Sequence, residues 1–387
     1  MAVSGGVERA SEGARRTTRD GRSTRARDGG CPDRVRRGGV AGTLRRIVAR
    51  LLFQHPSSHD HETGAHPERV ERIEAIERGL GARDWLGWEV RESPPVPRRV
   101  LEAVHPGDYV QRIESISLSG GGYLDMDTVL STGSWQCALH ATGGAVAMVD
   151  ALLDGEARLG ASVHRPPGHH AEASRGMGFC LFNHIAVAAR HALDAHGLER
   201  VLVVDWDVHH GNGTNDIFHE TDAVLFCSVH QSPLYPGTGP AGDVGSGAGA
   251  GYTVNMPVPS GSGDATWCSL VEHVVVPLAR EFAPQLILVS CGFDAHRDDP
   301  LASCACTAAG FAAMGASVRR LADELGVPAG LVLEGGYDLD GLTSSLIATL
   351  EAFGAETPPP ADPELAVDPL ARAAARRLAE RWPALAG

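Results

Sequence analysis

Two apolar runs in this 387-residue chain end in side chains suited to metal binding. Val201 to Val204 leads into Asp205-Trp206-Asp207-Val208-His209-His210-Gly211, and Leu286 to Val289 leads into Ser290-Cys291-Gly292-Phe293-Asp294-Ala295-His296. If the first run is a strand over Val201 to Val208, period-2 alternation puts Asp205, Asp207 and His209 on one face. Carboxylates this close together at the end of a buried strand repel each other and lose solvation, unless a cation or hydrogen-bond donors compensate. Asp294 ends the second strand in the same way and supplies a third ligand beside Asp207 and His209. Two carboxylates and one imidazole leave coordination positions open, which is the catalytic type of zinc site. No cysteine sits at the spacing a structural zinc would use, and His296 reads as a packing or capping residue.

Ahead of these strands lies His164-Arg165-Pro166-Pro167-Gly168-His169-His170, and after it Gly176-Met177-Gly178-Phe179. Proline and glycine make this a rigid loop, so adjacent histidines in it can both point into one crevice. Facing a carboxylate-rich cluster, such a pair suits proton transfer. Asp205, the acid nearest the strand interior, is placed to orient one of these imidazoles. A further strand runs into Glu334-Gly335-Gly336-Tyr337, where two glycines allow close backbone approach and present a phenol.

The elements that must position these groups alternate in type. Apolar, β-branched runs at Val201 to Val208, Ala223 to Val229, Tyr252 to Val258, Leu286 to Gly292 and Gly330 to Glu334 read as strands. Helical periodicity covers Pro67 to Arg78, Trp135 to Leu153, Asn183 to His196, Ala265 to Phe282, Ala308 to Leu325 and Leu339 to Phe353. This is the pattern of a mostly parallel α/β sheet covered on both faces, with its ligand site at the carboxyl ends of the strands. Residues 47–355 are expected to form one domain. Residues 1–46, rich in Arg, Gly, Ser and Thr, read as a disordered basic extension, and residues 356–387 as a proline-rich linker and a short helix with Leu370, Leu378 and Trp382 on one side.

Charge and composition narrow the partners. All 34 basic residues are arginine; the first 50 residues hold 13 of them against 5 acids, which leaves a net −22 on the rest. An acidic body of that size argues against nucleic-acid binding. No apolar run approaches the roughly 18 residues of a membrane helix, so no membrane partner is expected. The eight cysteines, including the Cys304 and Cys306 pair, form no framework. They fit a reducing, cytoplasmic setting and receive no role. Exclusive use of arginine suggests a GC-rich bacterial genome.

Together these motifs resemble the zinc-dependent histone deacetylase family, which includes acetylpolyamine amidohydrolases and acetoin-utilisation proteins, over roughly residues 50 to 354. The resemblance implies the arginase/deacetylase fold, with a central, mostly parallel sheet of about eight strands flanked by helices. It implies one Zn²⁺ on Asp207, His209 and Asp294, with His169 and His170 as the catalytic pair, Asp205 orienting His169, and Tyr337 as the oxyanion donor beside Gly336. His66-Pro67-Glu68-Arg69-Val70-Glu71-Arg72 is similar to the family's entry motif, with Val70 where proline is more usual. Arg72 then matches the inner product channel. Gly178, Phe179 and Tyr235 match the substrate tunnel and Leu301 its rim. Asn212, where class I relatives carry an acid, places the chain with class II-like bacterial enzymes.

Two K⁺ sites are also implied, one on Asp205, Asp207, His209, Ser228 and Val229, the other on backbone oxygens of Phe218, Thr221, Val224 and Tyr252. The expected reaction is hydrolysis of an acetyl group from the ε-amine of lysine in a protein or peptide, because leucine at 301 does not favour a second substrate cation. Acetylpolyamine hydrolysis, a di-manganese ureohydrolase and a non-catalytic acetyl-lysine-binding module are the alternatives, and the oligomeric state is left open.

Overall fold

A computed structural model describes residues 50–386, so the arginine-rich extension lies outside the described residues. Ten strands occur among these: β1 (Arg50–Gln54), β2 (Glu89–Glu92), β3 (Gly122–Tyr123), β4 (Val129–Leu130), β5 (Leu159–Ser162), β6 (Val201–Asp205), β7 (Val224–Gln231), β8 (Thr253–Val258), β9 (Leu286–Cys291) and β10 (Ala329–Leu333). Eight form one sheet in the order β2-β1-β5-β10-β9-β6-β7-β8, and every pairing in it is parallel. β3 and β4 make a separate hairpin. The eleven α-helices are α1 (Glu71–Gly81), α2 (Arg98–Leu101), α3 (Gly107–Leu118), α4 (Ser134–Leu153), α5 (His184–His196), α6 (Asn212–Ile217), α7 (Asp264–Leu270), α8 (Val276–Phe282), α9 (Ala308–Leu325), α10 (Leu339–Gly354) and α11 (Pro369–Leu378).

The sheet buries both faces, as continuous apolar strands require. Leu202, Val204, Ile287 and Val289 pack with α7 to α10 residues such as Leu278, Phe311 and Leu346. Their alternating neighbours Val201, Val203, Leu286 and Leu288 pack with α4 and α5 through Met148, Val149, Ile185 and Ala189. Because β10, β9 and β6 are adjacent, three segments far apart in sequence end side by side.

Several elements differ from the sequence expectation, each for a physical reason. The first helix begins at Glu71 rather than Pro67, because the preceding turn carries Glu68 inward to Arg165. β6 stops at Asp205; beyond it, the Asp205 carboxylate accepts the Asp207 N–H and the Asp207 carboxylate accepts the His209 N–H. The alternation of Asp205, Asp207 and His209 survives through these side-chain turns instead of through strand pairing. Ala265 to Phe282 is helical but contains a turn of π-helix at Val271–Val275, where the Val276 N–H reaches back to Val271. Pro277, which has no N–H and clashes with the carbonyl four residues earlier, accounts for that widening. In the C-terminal segment, Leu378 and Trp382 are buried, and the Trp382 indole donates to Gly251 O at 2.9 Å.

Candidate active site

The carboxyl ends of β6, β9 and β10 supply a buried cluster. Asp207, His209 and Asp294 offer ligand atoms that all lie within 4.8 Å of one another. His209 Nδ1 sits 3.2 Å from Asp207 Oδ1 and 3.1 Å from Asp294 Oδ2. The remaining carboxylate oxygens are held by backbone: Val208 N donates to Asp294 Oδ1 at 2.8 Å, and Gly335 N to Asp207 Oδ2 at 2.8 Å. Glycine is needed on two sides of this cradle. A Cβ at Gly292 would collide with Asp207, and one at Gly335 with the Asp294 and Asp207 carboxylates.

The donor set fits a divalent ion. Tetrahedral ligation at about 2.0–2.1 Å spaces neighbouring ligand atoms about 3.3 Å apart, close to the separations found. The electrostatics agree. Burial, together with the charge of Asp207, lifts Asp294 to about 7. His209 is raised to about 10: burial opposes its charge, but Asp294 and Asp207 prevail. Two desolvated carboxylates thus draw a proton onto the imidazole between them, and a cation on the same three atoms would serve in its place.

Both histidines of the rigid loop face this cluster, with ring centroids 4.0 Å apart. His169 Nδ1 donates to Asp205 Oδ2 at 3.0 Å, and its Nε2 lies 3.7 Å from Asp207 Oδ1. Burial disfavours charge on His169, yet Asp207 and Asp205 raise it to about 10. His170 Nδ1 meets Asn212 Oδ1 at 2.8 Å. Burial, reinforced by His169 and His209, pushes His170 well below the ordinary imidazole range. The two histidines are thus driven in opposite directions, His169 toward its charged form and His170 toward its neutral form.

Tyr337 is buried, which keeps its phenol protonated. Its ring stands edge-on to Phe179 at 5.6 Å, with the Arg72 guanidinium 4.9 Å from its centroid. Arg72 donates to Gly336 O and Glu334 O, both at 2.6 Å, and to Glu68 Oε1 at 3.1 Å. It thereby clamps the loop that carries Tyr337. Gly336 has φ +123, a conformation that favours glycine. Gly178 (φ 57) and Phe179 (φ 70) are both left-handed, and a side chain at 178 would strike His170. The strained pair sets the Phe179 ring edge-on to the rings of His66 and Tyr337, while the Tyr235 ring lies edge-on to His170 at 5.2 Å. Leu301 is half-buried, and its N–H donates to Asp299.

Ser228 pairs with Asp205 across the sheet, and Ser228 and Val229 are buried below the cluster. Phe218, Thr221, Val224 and Tyr252 sit at the opposite end, where β7 and β8 begin. His296 packs against Gly341 of α10, as expected of a structural residue. Cys304 and Cys306 are free thiols.

Sequence reading passed over three supports. Glu334 directly follows β10, and its Oε2 accepts the N–H groups of Gly168 (2.6 Å) and His169 (3.1 Å), fixing the histidine loop. An acid closing an apolar strand was the available signal. Asp299 Oδ2 accepts the Tyr337 N–H at 2.7 Å. Glu172 Oε1 accepts from Asn212 Nδ2 at 3.1 Å. A carboxylate there can only accept, so the Asn212 amide must turn its oxygen to His170.

Comparison with known proteins agrees with this geometry. The family model "Histone deacetylase domain" matches residues 66–353. The chain is 38% identical to histone deacetylase 14, chloroplastic, of Arabidopsis thaliana, over 79% of this chain and 77% of that protein. It is 41% identical to the histone deacetylase-like amidohydrolase of Pseudomonas aeruginosa, over 73% of this chain and 74% of that protein. The crystal structure of the HDA15 HD domain superposes with a TM-score of 0.81 at 34% identity, covering 88% of this chain and 97% of that one. The chain belongs to the histone deacetylase family, whose members are deacetylase hydrolases. Its fold is the arginase/deacetylase fold.

Proposed function

We propose that the chain is a zinc-dependent deacetylase acting on the acetylated ε-amine of lysine in peptides or proteins. The observation that carries this reading is the convergence of Asp207, His209 and Asp294 with the adjacent imidazoles of His169 and His170 and the buried phenol of Tyr337. Zinc held by Asp207, His209 and Asp294 supplies a Lewis acid for the amide carbonyl and lowers the pKa of a bound water toward about 7.

The protein's own groups do the rest. Glu172 orients Asn212, whose oxygen takes the Nδ1–H of His170, so that Nε2 keeps its lone pair. That nitrogen accepts the proton of the attacking water and returns it to the departing amine. His169, kept cationic by Asp205 and Asp207, stabilises negative charge developing beside it. The Tyr337 hydroxyl, protonated because it is buried, donates to the developing oxyanion. Phe179 and Tyr235 flank the thin aliphatic stem of lysine, and Arg72 stands behind the loop where acetate would leave. K⁺ on the carboxyl-end and strand-start positions named above would brace β6 and β7.

Leu301 at the rim gives a second ammonium group no partner and supports lysine. Asp127 and Asp125 favour the acetylpolyamine reading, since both are close enough to the Tyr235 phenol to help burial raise it. Turnover of an acetyl-lysine peptide is compared with that of N8-acetylspermidine on zinc-loaded protein. A higher kcat/KM on the peptide supports the proposal, and a strong preference for the polyamine overturns the substrate assignment.

A further inference from the structure

A second group of metal-binding side chains lies on the helices covering one face of the sheet. His191 Nε2 and His196 Nε2, both on α5, each lie 2.7 Å from the same oxygen, Asp150 Oδ1 on α4. The two rings stand nearly perpendicular, with centroids 5.6 Å apart. Helical periodicity does not produce this arrangement. Residues five apart point about 140° away from each other on an α-helix, so His191 and His196 should diverge. They converge because α5 ends at His196. Gly197 adopts φ 67, and the last side chain folds back across the terminus to Asp150. Along α5, His191 stands about 12 Å and His196 about 20 Å from Asn183, the N-cap that holds the catalytic loop. The side chains are 14% (His191), 20% (His196) and 46% (Asp150) exposed, so all three can be reached from solvent.

We infer that Asp150, His191 and His196 form a second, exchangeable site for a divalent transition metal of the zinc class, clamping the end of α5 to α4. Two imidazole nitrogens and one carboxylate oxygen are the donors such ions prefer. Their ligand atoms all lie within 4.8 Å of one another. Ligation through Nε2 needs each ring to carry its proton on Nδ1 and to release the one it shares with Asp150 to solvent, and each N–O separation opens from 2.7 Å to about 3.3 Å. The fourth position faces water, so binding is weaker and faster than at Asp207, and it stabilises the helix pair instead of serving catalysis.

Full-length protein is stripped of metal and dialysed against Zn²⁺, and bound zinc is counted by elemental analysis. The wild-type chain should bind two equivalents, the weaker at about 10⁻⁵ M or tighter. Asp150→Asn and His191→Gln should each bind one, with turnover within twofold of wild type, while Asp207→Ala should keep the weaker equivalent. That last variant separates failure of this inference from failure of the catalytic reading. Two equivalents persisting in both Asp150→Asn and His191→Gln, or a single equivalent in wild type with none left after Asp207→Ala, overturns the proposal. A measurement on unaltered protein guards against misfolded variants. Excess Zn²⁺ should slow carbethoxylation of His191 and His196 by diethyl pyrocarbonate about tenfold, and unchanged rates at both also overturn it.

Discussion

Glu68 and the Asp207–Asp294 pair are all closed off from solvent, yet the chain compensates their charge in opposite ways. Glu68 is held by Arg165 at 2.7 Å and Arg72 at 3.1 Å. Burial alone would raise its pKa, but Arg165 and its other cationic neighbours hold it at about 2. Among the described residues no arginine bonds Asp207 or Asp294, and Asp294 climbs to about 7. The difference teaches where exchange is wanted. A guanidinium is a permanent counter-charge and makes the first region a fixed joint, whereas the second is compensated only by titratable imidazoles, whose proton a cation from outside can replace.

The largest expected effect comes from removing that outside ion. Chelation, or Asp207→Ala, should lower deacetylation by more than about 10³-fold, with zinc restoring only the chelated wild type; unchanged turnover after stripping would erase the contrast. At the fixed joint, Glu68→Gln leaves two guanidiniums buried without their partner. It should destabilise the fold by about 3–5 kcal/mol, measured by urea unfolding. Because the Glu68 pKa is depressed when folded, its contribution is present above the ordinary carboxyl value of 4.5 and lost as pH falls toward about 2. The variant's stability deficit should therefore shrink through that window, and a constant deficit would show that ionisation is irrelevant. Tyr337→Phe should reduce kcat by about 10²–10³ with little change in zinc affinity. Gly335→Ala, which intrudes on both metal-facing carboxylates, should weaken zinc binding by about 10–100-fold. A competition assay with a chromophoric chelator reads that change, and wild-type affinity would mean that the cradle tolerates a methyl group.

Much of the site could be read from sequence because it consists of acids where acids do not belong. Asp205, Asp207 and Asp294 follow apolar runs, and the cost of burying them demanded a cation. Glu334 obeyed the same logic but was hidden inside the strand assigned to it. Asp299 and Glu172 sit in loops, where carboxylates are ordinary, and only tertiary contact shows that they hold Tyr337 and Asn212. Three strands of the main sheet, β1, β2 and β5, escape the sequence pattern on composition; β1 reads Arg-Leu-Leu-Phe-Gln, with no β-branched residue. β2 reads Glu-Val-Arg-Glu at a sheet edge, and β5 reads Leu-Gly-Ala-Ser because Met148 of α4 occupies the space a Cβ at Gly160 would fill. Neither carries the β-branched run that marks a buried strand.

The sheet order has a consequence during synthesis. β6 and β9 are neighbours in space but separated by 80 residues of chain, and the loop holding Tyr337 follows β10. A ribosome extends the chain from its N-terminus, so the first two metal-facing residues emerge long before their third companion. Until Asp294 has cleared the exit tunnel and β9 has slotted in beside β6, the cluster at Asp207 and His209 lacks its third carboxylate. If zinc binds there as proposed, loading of the active site is a late event in the life of each newly made molecule.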